Sequence, residues 1–140
     1  MIPHDLHNRL SFLRSNSPVT LTNLNTAQVG QIIDMTDLMS LEFIIAAGAM
    51  TDAGSTLTPL VEHGEVANLS DAAAVDDVDL LGTEAAATFT QAEDDTVKSV
   101  GYVGTKRYVR LTLTPAGNDA GSATFGATAV GTKRIRGTAN

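Results

Sequence analysis

The segment Lys106-Arg107-Tyr108-Val109-Arg110-Leu111-Thr112-Leu113-Thr114 constrains this chain more than any other feature. From Tyr108 onward one set of alternate positions is wholly apolar, which is the side-chain period of a strand and not of a helix. Val109, Leu111 and Leu113 share one face, and Tyr108, Arg110, Thr112 and Thr114 share the other. A strand with one apolar face needs a second layer to cover it, so such a chain builds sheets that pack together. Residues 122–130 repeat the pattern, with Ala123, Phe125, Ala127 and Ala129 on a common face. A further strand pattern covers 96–103, and the Gly104-Thr105 step between it and 106–114 favours a tight hairpin. The last third therefore reads as an antiparallel meander. Earlier candidates are residues 32–35, residues 41–47 ended by Gly48, and residues 56–62, which Pro59 moves toward a sheet edge. The fold class that follows is mainly β, an antiparallel β-sandwich or small β-barrel.

Composition supports short strands and turns. Threonine occurs 18 times and glycine 12 times in 140 residues, while the alanine runs at 72–74 and 85–87 suit short helices as well as short strands. There is no cysteine, which excludes a disulfide scaffold, a thiolate metal site and a cysteine nucleophile. The longest apolar run, residues 43–47, is far too short for a membrane helix. The first residues lack the basic start and apolar core of a signal peptide, so the expectation is a soluble chain made in a cytoplasm.

Three regions differ in character: an N-terminal arm at 1–30, a β domain at 31–130 and a basic C-terminal tail at 131–140. In the first, Leu6, Leu10 and Leu13 sit at helical spacing, sufficient for a turn or two of helix, and Val19-Thr20-Leu21-Thr22 alternates like a strand. This region reads either as an extended arm packing on the domain or on a neighbouring molecule, or as an ordinary edge strand.

Charge is segregated along the chain. Residues 15–97 hold 14 of the 16 acids and no lysine or arginine, whereas residues 98–140 hold seven of the nine bases and one acid, Asp119. Either acidic and basic strands pair within one molecule, or the two ends present cationic surface to an acidic partner. The net charge of −7 is the wrong sign for a nucleic-acid binder.

No catalytic signature emerges. The three histidines are His4, His7 and His63; the first two lie in the terminal segment, and His63 reads as a solvated loop residue. No Gly-x-Ser-x-Gly elbow and no phosphate-cradling loop is present. His4-x-x-His7 has metal-ligand spacing without further ligands nearby. Asp76-Asp77-x-Asp79 offers hard oxygens for calcium but lacks the glycine and terminal glutamate of an EF-hand loop. The expectation is an interaction protein without enzymatic activity, cofactor, metal or small-molecule substrate.

Residues 80–87 (LLGTEAAA) and 93–111 (EDDTVKSVGYVGTKRYVRL), together with Ser40-Leu41-Glu42-Phe43 and the apolar strand that follows, resemble a family of small proteins of tailed bacteriophages. The similarity is to capsid decoration, or cement, proteins and spans roughly residues 31–130. It implies a β-rich structural protein of the virion, bound to the outer surface of an icosahedral phage head and made in the bacterial host cytoplasm. It further implies a homotrimer that bridges subunits of the major capsid protein. Under that reading the docking residues are Leu10, Phe12 and Leu13 as apolar anchors in the arm. Arg107, Tyr108 and Arg110 add the polar edge of the 106–114 strand, and Lys133, Arg134 and Arg136 the tail. Alternatives are a tail-tube, connector or head-fibre component of the same virion, or a calcium- or glycan-binding β-sandwich module.

Overall fold

A computed structural model describes residues 5–134. The chain begins with one helical turn, α1 (Leu6–Arg9), whose first turn is capped by the Asp5 carboxylate accepting from Asn8 N–H at 3.0 Å. Strands follow in the order β1 (Leu10–Thr22), β2 (Gln28–Val29), β3 (Ile33–Asp34), β4 (Leu38–Met50), β5 (Thr56–Gly64), β6 (Ala73–Ala74), β7 (Leu80–Leu81), β8 (Phe89–Thr90), β9 (Val97–Tyr102), β10 (Tyr108–Ala116) and β11 (Ser122–Lys133). Short 3-10 turns at Asp77–Asp79 and Gln91–Glu93 punctuate the acidic centre.

Two antiparallel sheets form a sandwich. One runs β1-β11-β4-β9-β7; the other runs β2-β10-β5-β6, with β3 also on β10 and β8 also on β5. Their inner faces meet in one apolar core. It contains Phe43, Ile45, Val100, Phe125 and Ala129 from the first sheet, and Leu57, Val61, Val109, Leu111 and Leu113 from the second. The faces assigned to β10 and β11 by alternation are the buried ones.

The connection from β9 to β10 is not the expected hairpin. β9 pairs with β4 and β7, whereas β10 pairs with β5, β2 and β3, so residues 103–107 carry the chain from one sheet to the other. The last third is thus a crossing path rather than a meander. Gly104 serves close packing here: a Cβ at that position would lie 2.6 Å from the Tyr102 ring. Tyr102 Oη accepts from Lys106 N–H at 3.0 Å and thereby ties the crossover down.

Residues 10–22 form a paired edge strand, the second of the two sequence readings of the N-terminal region. Ten residues of β1 are in register with β11, from Leu10 opposite Thr132 to Thr22 opposite Ser122. Register shifts between Arg14 and Asn16 and between Asn16 and Val19 break its alternation. At the bulge, Ser15 and Asn16 are buried, Gln31 N–H donates to Ser15 C=O, and the Asn16 amide donates to Gln28 C=O. The edge of the first sheet is thereby closed by the segment leading out of β2. At the other end of the chain, residues 131–133 belong to β11, while His4, Arg136 and the rest of 135–140 lie outside the described residues.

Pro59 sits where its missing N–H costs nothing. β8 and β6 cover only the two ends of the outer edge of β5, and the gap between them is where Val61 N–H finds the Glu84 carboxylate.

Candidate interaction surface

The outer face of the first sheet is built by β1, β11, β4 and β9. The pairing sets Phe12, Val130 and Glu42 in one row, and Arg14, Thr128, Ile44 and Ser99 in the next. Beyond these, Gly126 lies beside Ala46, and Ala46 beside Val97. Small residues form the floor. Gly126 lets Pro18 approach so closely that a Cβ there would lie 3.1 Å from the proline Cα, and Gly48 packs under Thr124. The result is an open apolar trough of about 600 Å³, walled by Phe12 and Pro18 on one side and Ile44 on the other. Phe12 is 59% exposed, Ile44 36% and Val97, at its margin, 62%. Exposed apolar residues that share one face make it a candidate interaction surface.

Charge distinguishes this face from the opposite one. On the second sheet, Arg107 donates from Nε and Nη2 to the two oxygens of Asp34, at 3.2 and 3.0 Å, and its guanidinium lies 5.1 Å from the Tyr108 ring centre. Arg107's donated hydrogen bonds, followed by those from Thr36, hold the Asp34 carboxyl well below the usual carboxylate range. Arg110 is ion-paired with Glu62 at 3.2 Å, both being about four-fifths buried. Lys98, on β9 of the first sheet, meets Glu93, and Lys106, in the crossover, meets Glu65. Arg9, Arg14, Lys133 and Arg134, by contrast, make no ion pair among the described residues; Arg14 lies in β1 and Lys133 ends β11, with Arg9 just before the one strand and Arg134 just after the other. Arg9 and Lys133 are felt at longer range by Asp5, whose carboxyl is lowered mainly by Asn8. Arg134 is held by backbone contacts, its N–H donating to Asp37 C=O.

The sequence-derived anchors therefore separate. Phe12 faces outward, whereas Leu13 turns inward and packs against the core, and Leu10 is half-buried. Arg107, Tyr108 and Arg110 lie on the other sheet, with both arginines already matched inside the chain. Lys133 ends β11 and Arg134 follows it, one and two residues after Thr132, the partner of Leu10 at the start of β1. Sequence reasoning missed Arg14, two positions after Phe12 on β1, and Ile44, Ala46 and Gly126, which reach the trough only through pairing between distant strands.

His63 is also placed differently from the solvated loop position expected of it. It lies within β5, opposite Val109, with Nδ1 2.9 Å from Tyr102 Oη and the two rings edge to face. Burial pushes the Tyr102 hydroxyl up, and the 1% exposed ring acts as a strut between sheets. Asp77 and Asp79 lie in a 3-10 turn that follows Asp76, with Asp76 and Asp77 exposed. Among the described residues no three histidine, aspartate or glutamate side chains gather at a point that could hold a metal ion.

No family model and no curated protein matches the sequence. Among solved structures, the chain is similar to a Clostridium thermocellum endo-1,4-β-D-xylanase 10B chain carrying CBM22-1 and GH10 modules complexed with xylohexaose. That match has 10% identity and a TM-score of 0.43 over 95% of this chain and 28% of that one. A chain of infectious bursal disease virus, Gt strain, gives 10% identity and 0.44 over 89% and 32%. A chain of Desmodium yellow mottle tymovirus gives 8% identity and 0.32 over 99% and 97%. This chain thus spans less than a third of the first two structures. The sandwich assignment rests on the strand pairings themselves, and no function transfers at such scores.

Proposed function

We propose that this chain is a bacteriophage capsid decoration protein. In this reading it docks on the outer surface of the icosahedral head and stabilises the shell by bridging neighbouring subunits of the major capsid protein. The observation that carries the proposal is the open apolar trough on the outer face of the β1-β11-β4 sheet, a rigid surface suited to adhesion. The resemblance of residues 93–111 to such proteins points the same way. Multiplied over a repeating lattice, a contact of this size adds up to substantial stabilisation of the closed shell. Three copies around a local threefold position complete the proposal, since a small sandwich gains both area and stability by associating.

A glycan-binding module stacks sugars on a row of exposed rings. Of the six aromatic residues here, Phe43, Phe89, Tyr102 and Phe125 are buried, and Phe12 and Tyr108 lie on opposite sheets. That spacing favours the adhesive reading.

The test is to delete the gene for this chain in the phage or prophage that carries it and compare particles by electron microscopy and protein stoichiometry. Loss of regular outer density from the head, with copies on the order of hundreds per wild-type particle, is the expected result. Six or twelve copies would place the chain at a connector or tail and end the proposal.

A further inference from the structure

Resting on that reading, we infer that the β1–β11 half of the first sheet's outer face is the surface that meets the shell, and that its occupant is an extended segment of the shell protein carrying apolar side chains and a carboxylate. Two independent features converge there. The trough runs along the strands from Ile44 to Gly48 on β4, about 13 Å at ~3.3 Å per residue, and is walled by Phe12 and Pro18 from β1. That is the length of four or five extended residues, and its small-residue floor leaves room for their side chains.

The second feature is charge. Four cations in β9 and β10 or the turn between them (Lys98, Lys106, Arg107 and Arg110) are consumed by internal carboxylates. Arg14, which lines the trough, makes no ion pair among the described residues. Glu42, an acid on this face, leans over Gly101 on the side away from β1. In a protein of net charge −7, an arginine without an ion-pair partner on the wall of an apolar trough selects a ligand that carries a carboxylate.

The experiment adds purified chain to particles lacking it and reads occupancy by stoichiometry and electron microscopy. Phe12→Ser, Arg14→Glu and Ala46→Asp are each expected to raise the half-saturating concentration at least about tenfold. Ala46→Lys should bind better than Ala46→Asp, which reports the sign of the occupant's charge. Val29→Ser with Leu60→Ser, on the opposite sheet, should leave occupancy unchanged. All replaced side chains are exposed, so melting temperatures should stay within about 3 °C of wild type.

If wild type coats particles and the trough variants coat equally well, the surface assignment is wrong and the decoration reading stands. If wild type fails to coat, both fall. If wild type self-associates in solution and Arg14→Glu releases monomer, the occupant is a second copy, which overturns the inference.

Discussion

Asn118 is completely buried, yet it lies in the loop between β10 and β11. Its amide nitrogen donates to Leu21 C=O at 2.9 Å and Leu24 C=O at 3.0 Å, and its backbone N–H donates to Asn25 Oδ1 at 2.8 Å. One side chain thus clips the end of β1 to the loop before β11. Asn118→Ala would leave two carbonyls without partners, at a cost of about 2 kcal/mol, to be measured by urea unfolding. An unchanged midpoint would show that water replaces the clip. A second residue, Asp34, gives an acid-side signature. Its carboxyl is held down in the fold, so its contribution is complete above the ordinary aspartate value of about 3.9 and fades as pH falls below it. Asp34→Asn should therefore be less stable than wild type at pH 7, with the gap closing as pH is lowered through 4. Both Asp34 and Arg107 are about half exposed, so the gap will have the modest size of a surface ion pair and shrink with salt. A gap that stays constant from pH 7 to pH 2 would mean the residue acts through packing instead.

At the level of elements, strand faces were legible and strand partners were not. Alternation placed Val109, Leu111 and Leu113, and Ala123, Phe125, Ala127 and Ala129, on their buried faces, because side-chain direction is a local property. Pro59 pointed to an open edge for the equally local reason that it has no N–H to donate. The β9–β10 hairpin failed because Gly104 answers a requirement that sequence spacing does not reveal, the closeness of the Tyr102 ring. β1 was read ambiguously because its bulges at Ser15–Asn16 and before Val19 interrupt the period of two. Of the candidate surface, Phe12 and its neighbour Leu13 were legible in the sequence. Arg14 and Pro18 follow on the same strand, whereas Ile44 and Ala46 are more than thirty positions away in sequence and are joined to it by pairing through β11. Gly30 shows what such close crossings demand. Its N–H donates to Leu111 C=O, and a Cβ would sit 2.5 Å from that same oxygen. Gly30→Val should therefore destabilise the domain by about 3 kcal/mol or prevent its folding, as followed by far-UV circular dichroism on heating. A melting curve like that of wild type would mean the β2 corner can swing away from β10 at no cost.

For the molecule as a whole, the decisive fact is that its first and last long strands are neighbours. β11 sits between β1 and β4, so the five-stranded sheet is complete only when both ends of the chain are in place. Non-local pairing of this kind is slow to form and makes the sandwich one cooperative unit. Removing residues 1–22 would strip β11 of ten register partners and leave one of its edges open along its length. It would also uncover the core beneath Leu21 and the half-buried Leu13 and Val19, and remove two backbone acceptors, Ser15 C=O for Gln31 and Leu21 C=O for Asn118. An exposed central strand invites pairing with another chain. The truncated protein should therefore lose its single thermal transition and elute as aggregate in size-exclusion chromatography. A truncated chain that stays monomeric and melts within a few degrees of wild type would instead make β1 a separable arm. The same geometry explains why truncation is a poor probe of docking. It removes Phe12 and Arg14 only by dismantling the sheet that holds Ile44 and Ala46 in place, whereas single exposed substitutions change the surface and leave its support intact.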